Sequence, residues 1–184
     1  MRNITTCYLV GTAAAINVEL GWVPDRVELV NLTDGTIAYI EFPNIKTMAY
    51  TSGGSGTVAS QIKPGMTIVG ATSGATAYVK AVVNDTGTWG GANAAGWLVL
   101  DALSITGTFS SENIYIQGGP NTSGKVDAVG AAVAAQGVKC DTAFASDTNL
   151  TSYAGAVAAT SSGFTIASGV STNHKLFAYT AMRS

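Results

Sequence analysis

The sequence predicts an all-β protein, an antiparallel β-sandwich of jelly-roll or immunoglobulin-like type that carries a small inserted β-barrel-like module. Short runs of β-branched and aromatic residues, separated by Gly, Asn, Asp and Pro, follow one another along the whole chain. Asp34-Gly35 joins two of these runs, and this pair is typical of a hairpin because glycine accepts the positive φ of the turn. Only 8% of the 184 residues are aromatic, so a few large side chains must build the core.

The predicted main domain comprises residues 1–62 and 119–184. Its predicted strands, in chain order, are Cys7–Val10, Ile16–Leu20, Arg26–Leu32, Thr36–Phe42, Gly163–Ala167 and Lys175–Ala181. Neither strand of the hairpin alternates cleanly between apolar and polar residues, which predicts a hairpin that is covered on both faces. The last strand is expected to pair with the sheet that the hairpin begins.

The predicted inserted module spans residues 63–118. Loop-like stretches at 51–60 and 118–124 flank it, as expected where one domain is inserted into a surface loop of another. Its predicted strands are Met66–Val69, Ala75–Val83, Trp97–Asp101, Ile105–Phe109 and Asn113–Gln117. Behind the module, the alanine-rich segment Val126–Gln136 is compatible with a short helix, a tightly packed strand or a loop.

The titratable residues do not follow a pattern typical of an enzyme. His174 is the only histidine, and no carboxylate is near it in the sequence, although a catalytic histidine needs an orienting acid and a nucleophile. Cys7 and Cys140 lack a C-x-x-C partner and are predicted to be buried free thiols. The acids near turns stand singly, at Asp34, Asp85, Asp101 and Asp147. The sequence therefore predicts no catalytic residue, no metal site and no cofactor.

The sequence also disfavours phosphate, nucleic-acid and membrane ligands. The segment Gly70–Thr76 looks like a phosphate loop, but it lacks the lysine and a β-strand is predicted after it, so we interpret it as a turn. The net charge is −2 and the nine basic residues are scattered singly, whereas nucleic-acid binders cluster them. No apolar stretch approaches the roughly 20 residues that span a bilayer, and residues 1–6 lack the apolar core of a secretory signal.

Low charge and Thr-rich polar faces favour a protein that packs against other proteins. Charged residues make up 11% of the chain, which leaves little repulsion between copies and suits a component of an assembly. Strand edges and the N-terminal segment are the expected contact elements, because an edge can pair with another chain. The candidate contact residues are Arg2, Asn3, Trp22, Trp89 and Trp97. Trp89 and Trp97 flank a glycine-rich turn, where they either stack on a sugar or a protein partner or complete the core of the module.

Two sets of motifs resemble virion proteins of tailed phages. Gly21-Trp22-Val23-Pro24, followed by Glu28–Gly35, resembles the G-[WF]-x-P-x-x-V-x-[LV]-x-N opening of small capsid decoration and head-fibre-like proteins. Gly163–Gly169 resembles the late G-F-T-[IV]-x-x-G motif of the same proteins. A second set is similar to a β-module that recurs in phage structural proteins: Val69–Ala77, Gly96–Leu100 and Gly107–Phe109. Together these stretches extend over most of the chain.

The resemblance implies a structural protein that decorates and cements a phage capsid. Such a protein is made in the host cytoplasm and is located on the capsid surface of the virion. Its implied partners are the major capsid protein, over whose subunit junctions it binds, and other copies of itself, as a homotrimer first and a dimer next. Two alternatives stay open: a tail or fibre component, and a non-catalytic carbohydrate-binding β-sandwich module.

Overall fold

The computed structural model describes residues 3–35, 37–54, 61–118, 128–140, 149–154 and 162–183. Within them lie thirteen β-strands and a short 3-10 turn at Ala102–Ser104. The strands are β1 (Asn3–Val10), β2 (Ile16–Glu19), β3 (Arg26–Asn31), β4 (Ala38–Gly53), β5 (Thr67–Gly70), β6 (Thr76–Thr86), β7 (Ala94–Asp101), β8 (Glu112–Ile116), β9 (Ala128–Gly130), β10 (Ala134–Cys140), β11 (Leu150–Ala154), β12 (Ser162–Ile166) and β13 (Leu176–Arg183). The sheets are antiparallel, which confirms the predicted all-β class.

The chain divides into two compact units, one formed by Met1–Ile45 with Ala135–Ser184 and the other by Lys46–Ala134. These boundaries differ from the predicted ones at 63 and 118. The N-terminal boundary lies earlier because β4 is 16 residues long: its first residues pair with β3, and its last residues pair with β9. The predicted linker at 51–60 therefore begins as strand, and residues 55–60 and 119–127 lie outside the described part of the chain.

The first unit is a β-sandwich. One layer contains β1, β13, β3 and the first part of β4, in that order, and the other contains β11, β12 and β2. Leu29 and Tyr179 of the first layer pack in one core with Phe164 and Ile166 of the second, and the rings of Phe164 and Tyr179 meet edge to face at 5.4 Å. The pairing of β13 with β3 confirms the predicted place of the last strand. The choice between jelly-roll and immunoglobulin-like topology stays a prediction.

The hairpin of β3 and β4 is buried on one face only, so the prediction that both faces are covered is wrong. Leu29 is fully buried and Tyr39 is nearly so, whereas Val30, on the opposite face, is 37% exposed. The alternation of apolar and polar residues is imperfect because Glu41 is a polar residue on the buried face, a position that an apolar side chain normally occupies.

Buried Glu41 connects the two layers of the sandwich. Its carboxylate accepts hydrogen bonds from the backbone N–H of Asn149, at 3.0 Å, and of Leu150, at 2.7 Å, where β11 begins. These bonds offset the large cost of removing a carboxylate from water. Glu41 therefore has a structural role in the sandwich.

The second unit is a closed barrel of six strands, in the order β4, β7, β6, β5, β8 and β9, with β9 returning to β4. The barrel confirms the predicted barrel-like module. The predicted strand Ile105–Phe109 is wrong, because this segment follows the 3-10 turn and makes a single bridge, between Thr106 and Thr76. The described part of Val126–Gln136 forms β9 and the start of β10, which selects the strand alternative for that segment.

Candidate functional site

The sandwich unit exposes one face of its larger layer to solvent. We call the outer sheet face those residues of β1, β13, β3 and β4 that alternate with the core residues and therefore point away from the core. Its members, strand by strand, are Ile4, Thr6, Tyr8 and Val10; Leu176, Ala178, Thr180 and Met182; Arg26, Glu28 and Val30, with Leu32 just beyond β3; and Ala38 and Ile40.

The outer sheet face is apolar over much of its area. Its six most exposed large apolar side chains are Ile4 and Tyr8 (both 66%), Val10 (54%), Leu32 (45%), Leu176 (41%) and Val30 (37%). The strand register makes five of them neighbours, since Val10 is opposite Leu176, Leu32 N donates to the carbonyl of Leu176, and Ala178 lies between Tyr8 and Val30. Ile4 lies apart from these five, because the hydrogen-bonded pair Thr6–Thr180 separates it from Tyr8. Soluble monomers rarely leave a large contiguous apolar patch in water, so this face is typical of a binding surface.

Ion pairs lie at both ends of the outer sheet face. Arg26 Nη2 is 2.5 Å from Glu28 Oε1 at one end, and Lys175 Nζ is 2.7 Å from Asp34 Oδ1 at the other. The hydrogen bond from Lys175 is the main cause that lowers the pKa of the Asp34 carboxyl group below its usual value. Partly exposed pairs of this kind add little to stability, but they give the apolar patch a polar border, as in protein interfaces.

β1 is an open edge of the same layer. It pairs with β13 on one side, and hydrogen bonds at the ends of the strands show which way the backbone groups point. Gly11 N donates to the carbonyl of Lys175, whereas Leu32 N donates to the carbonyl of Leu176. Because backbone groups alternate sides along a strand, odd-numbered residues of β13 face β1 and even-numbered residues face β3.

The N–H and C=O groups of Ile4, Thr6, Tyr8 and Val10 therefore point away from β13, to the open side. Within the described residues no strand pairs with that side, and a long contact of 3.8 Å joins Cys7 Sγ to the Tyr8 carbonyl. β1 is eight residues long and contains neither charge nor proline, so it lacks the usual devices that protect an edge from pairing.

The turn at Ala71–Gly74, between β5 and β6, holds a carboxylate of the protein itself. Glu112, at the start of β8, is 7% exposed and accepts hydrogen bonds from Thr72 N (2.8 Å), Ser73 N (2.8 Å) and Ser73 Oγ (2.6 Å). Burial raises the pKa of Glu112, but the hydrogen bonds from Ser73, Thr72 and Ser110 outweigh it and lower the pKa to about 2. The donors of this loop are thus occupied, in agreement with its interpretation as a turn.

Two of the predicted contact residues, Trp22 and Trp89, are partly or fully buried, and a third lies outside the described part of the chain. Arg2 lies outside the described residues. Trp22 is half-buried against the sandwich core, and Trp89 is 7% exposed in the barrel core, where its ring stacks on Tyr50 at 5.2 Å. Trp89 is therefore a core residue, which selects one of the two alternatives for it.

Asn3 and Trp97 remain at the surface, in different units. Asn3 is the half-buried first residue of β1. Trp97 is 48% exposed on β7, directly opposite Val83 of β6, which is 51% exposed. The structure thus does not bring the five candidates together. The site that it forms instead, the outer sheet face with the β1 edge, includes the predicted N-terminal segment but none of the tryptophans.

The acids and the histidine do not converge among the described residues. His174 is an exposed turn residue with φ of 58°, and Asp85 is exposed on β6. Asp101 Oδ1 accepts a hydrogen bond from Leu103 N and so caps the 3-10 turn. Asp147 lies outside the described residues. Within the described part of the chain, no three metal-ligating side chains are grouped to hold an ion.

The two cysteines are free, but the prediction that they are buried is wrong. Cys7 is exposed near the open edge of the sandwich, and Cys140 is partly exposed at the end of β10. Cys7 is exposed because β1 has no neighbouring strand on its open side among the described residues.

A surface cleft of about 490 Å³ opens on the barrel unit. Its described lining contains Lys63, Gln61 and Asn84 but no carboxylate and no histidine. The amide of Asn84 is already engaged, because Oδ1 accepts from Tyr50 OH and Nδ2 donates to the Gly87 carbonyl, both at 3.0 Å. This lining does not supply the acid and base that hydrolysis requires.

Comparison with known proteins finds no relative: no family model, no curated protein and no solved structure matches the chain. Among the described residues, no helix is long and apolar enough to cross a membrane.

Proposed function

We propose that this chain is a structural protein of a phage virion that decorates and stabilises the capsid, and that it is not an enzyme. In this proposal, the outer sheet face binds over the junctions between subunits of the major capsid protein. The supporting observation is the exposed apolar patch formed by Tyr8, Val10, Val30, Leu32 and Leu176, which the strand register makes neighbours. The resemblance of Gly21–Pro24 and Gly163–Gly169 to decoration proteins supports the virion assignment.

The proposed mechanism is burial of apolar surface at many equivalent junctions. A standard interface buries about 800 Å² per partner, and its repetition over the shell would resist outward pressure without any chemistry. The low charge of the chain fits this mechanism, because binding would depend on apolar and backbone contacts rather than on ion pairs. The two buried carboxylates, Glu41 and Glu112, are the strongest candidates for a catalytic acid or base. They support the non-enzymatic proposal because backbone N–H groups already donate hydrogen bonds to both.

The proposal is tested by sedimentation of purified particles with added wild-type or variant protein. Val30→Lys places a charge within the outer sheet face, and Val83→Lys places one on the barrel unit at a similarly exposed site. We expect Val30→Lys to weaken particle binding by about tenfold or more, because a charge must be desolvated on docking, and Val83→Lys to leave it unchanged. Equal binding of wild type and Val30→Lys, or no binding of wild type, would overturn the proposal.

The same particles distinguish a capsid protein from a tail or fibre component. Heads and tails are separated after disruption, and each fraction is probed for the protein. We expect the protein in the head fraction. Its recovery with tails would replace the capsid proposal by the tail alternative.

Trp97 is the observation that favours a carbohydrate-binding module as the second candidate. An exposed indole can stack on a sugar ring, but its cross-strand neighbour Val83 offers no hydrogen bond to the hydroxyl groups. A glycan array with wild type and Trp97→Ala tests this candidate. Binding that disappears in Trp97→Ala would favour it, and the capsid proposal expects no glycan binding by either protein.

A further inference from the structure

We propose that two copies of this chain pair antiparallel through the open edges of β1, about a twofold axis that passes between their Cys7 residues. The pairing would join the two larger sandwich layers into one continuous sheet. This inference goes beyond the proposed function, because it concerns the edge of the layer and a second copy rather than the outer sheet face and the capsid.

The backbone restricts the register of such a pair. Hydrogen-bonded positions must join open groups of one copy with open groups of the other, and the open groups belong to the even-numbered residues of β1. With Cys7 at the centre, Ile4 lies opposite the partner's Val10, and Thr6 opposite the partner's Tyr8. All four open residues of each copy are then used, which gives about eight backbone hydrogen bonds.

Neighbouring registers satisfy fewer groups. A shift of one residue places open groups opposite groups that already bond to β13. A shift of two residues in either direction leaves Ile4 or Val10 without a partner inside β1. The register centred on Cys7 is therefore the one that uses the edge completely.

The side chains of β1 fit a second copy of the same strand. Asn3–Val10 carries no charge, so two copies do not repel, and Ile4 would lie beside the partner's Val10 in one apolar row. The edge formed by β2 in the other layer differs, since that strand has four residues and includes exposed Glu19. Of these two edges, β1 is the one without protection against pairing.

The proposed symmetry differs from the homotrimer that was expected first. An antiparallel pair of identical edges has a twofold axis and closes with two copies. The dimer, second in the expectation, is the state that the geometry of β1 favours.

Cys7 provides a test of the register. In the proposed register Cys7 lies opposite Cys7 of the second copy, in a pair that exchanges no backbone hydrogen bonds. The Cα atoms of such a pair are about 4.5 Å apart, which is within the range that a disulfide can bridge. The full chain with Cys140→Ser is treated with diamide, which accepts two electrons and two protons from two thiols as the S–S bond forms. We expect a disulfide-linked dimer on non-reducing gels.

Two control proteins accompany this experiment. Cys7→Ser with Cys140→Ser contains no cysteine and must stay monomeric on the gel. Thr5→Cys in that background places the thiol four residues from its counterpart along the pair, about 13 Å away. We expect it to form the linked dimer at least about tenfold more slowly than Cys7 does. Equal or faster linkage at position 5 would overturn the register.

A backbone variant tests the pairing without oxidation. The Thr6 N–H points to the open side, so Thr6→Pro removes a hydrogen bond to the partner while the β1–β13 ladder stays intact. We expect wild type to sediment as a dimer at tens of micromolar and Thr6→Pro, with unchanged circular dichroism, as a monomer. If Thr6→Pro does not fold, Thr6→Lys replaces it, because it adds like charges across the axis. A monomeric or trimeric wild type, or a dimer that persists in the folded variant, would overturn the proposal.

These results are independent of particle binding. A folded monomer that still binds particles would contradict the edge pairing and leave the proposed function standing. A dimer that does not bind particles would contradict the proposed function and leave the edge pairing standing.

Discussion

Glu112 should make the stability of the barrel unit depend on pH. Its pKa is lowered from 4.5 to about 2, because hydrogen bonds from Ser73, Thr72 and Ser110 outweigh the opposing effect of burial. A shift of one pKa unit corresponds to about 1.4 kcal/mol, so the ionised carboxylate stabilises the folded state by about 3 kcal/mol. Since the pKa is lower in the folded state, this contribution is complete well above pH 4.5 and is lost as the pH falls to about 2.

The perturbation is Glu112→Gln, which keeps the size of the side chain and removes its titration. A glutamine offers one acceptor oxygen in place of two. If this oxygen accepts from Thr72 N and Ser73 N, the amide NH₂ faces the N–H of Ser110, which now donates to the other carboxylate oxygen. We expect the variant to lose about 2–3 kcal/mol of unfolding free energy at pH 7, and the difference from wild type to shrink toward pH 2.

The assay is urea unfolding between pH 2.5 and 7, followed by tryptophan fluorescence, because Trp89 lies in the barrel core and reports on that unit. Glu19→Gln is the matched control, since this carboxylate is exposed, and it should change stability by less than about 0.5 kcal/mol. A Glu112→Gln variant as stable as wild type at pH 7, or an equal loss of stability by both proteins on acidification, would contradict the stabilising role of the Glu112 carboxylate.

Three further experiments, two of them with a matched control variant, test the packing. Glu41→Gln should cost the sandwich about 1–3 kcal/mol in urea unfolding, because one of the backbone N–H groups of Asn149 and Leu150 loses its acceptor; an unchanged midpoint would contradict this role. Gly163→Ala should unfold the sandwich or lower its melting temperature strongly, since the new Cβ would overlap the Val18 carbonyl oxygen. The control Gly169→Ala meets nothing within 4 Å and should be neutral, and equal melting temperatures of the two variants would contradict this packing. Trp89→Ala should lower the free energy of unfolding by about 3–5 kcal/mol, and Trp97→Ala, at an exposed site, by less than about 1 kcal/mol. A larger loss for Trp97→Ala than for Trp89→Ala would contradict the assignment of Trp89 to the barrel core.

Local signals in the sequence were sufficient for the all-β class and for most strands. Asp34-Gly35 marks the hairpin correctly, because the turn depends on the two residues themselves and Gly35 has the expected positive φ of 64°. The strand β4 is longer than predicted because Pro43 suggests a strand end, yet the strand continues through it to Gly53.

The candidate site could not be predicted in the same way. Glu41 and Glu112 obtain their partners from segments far away in the chain, and residue periodicity carries no information on such contacts. In β1 the apolar residues occupy both faces, Tyr8 and Val10 on one and Leu9 on the other, so the sequence does not show which face is exposed. The exposure of Ile4 and Tyr8 follows from the order of strands in the sheet, which places β1 at its edge.

The most direct test of the proposed capsid role is the release of the protein from purified particles by salt and by urea. Ion pairs between exposed groups weaken as the Debye length falls from about 10 Å at 0.1 M to about 3 Å at 1 M salt, whereas apolar contacts are not screened in this way. If the outer sheet face holds the protein on the capsid, the protein should sediment with particles in 1 M sodium chloride and leave them in urea. Release at a few tenths molar salt, or absence of the protein from the particles, would contradict the account.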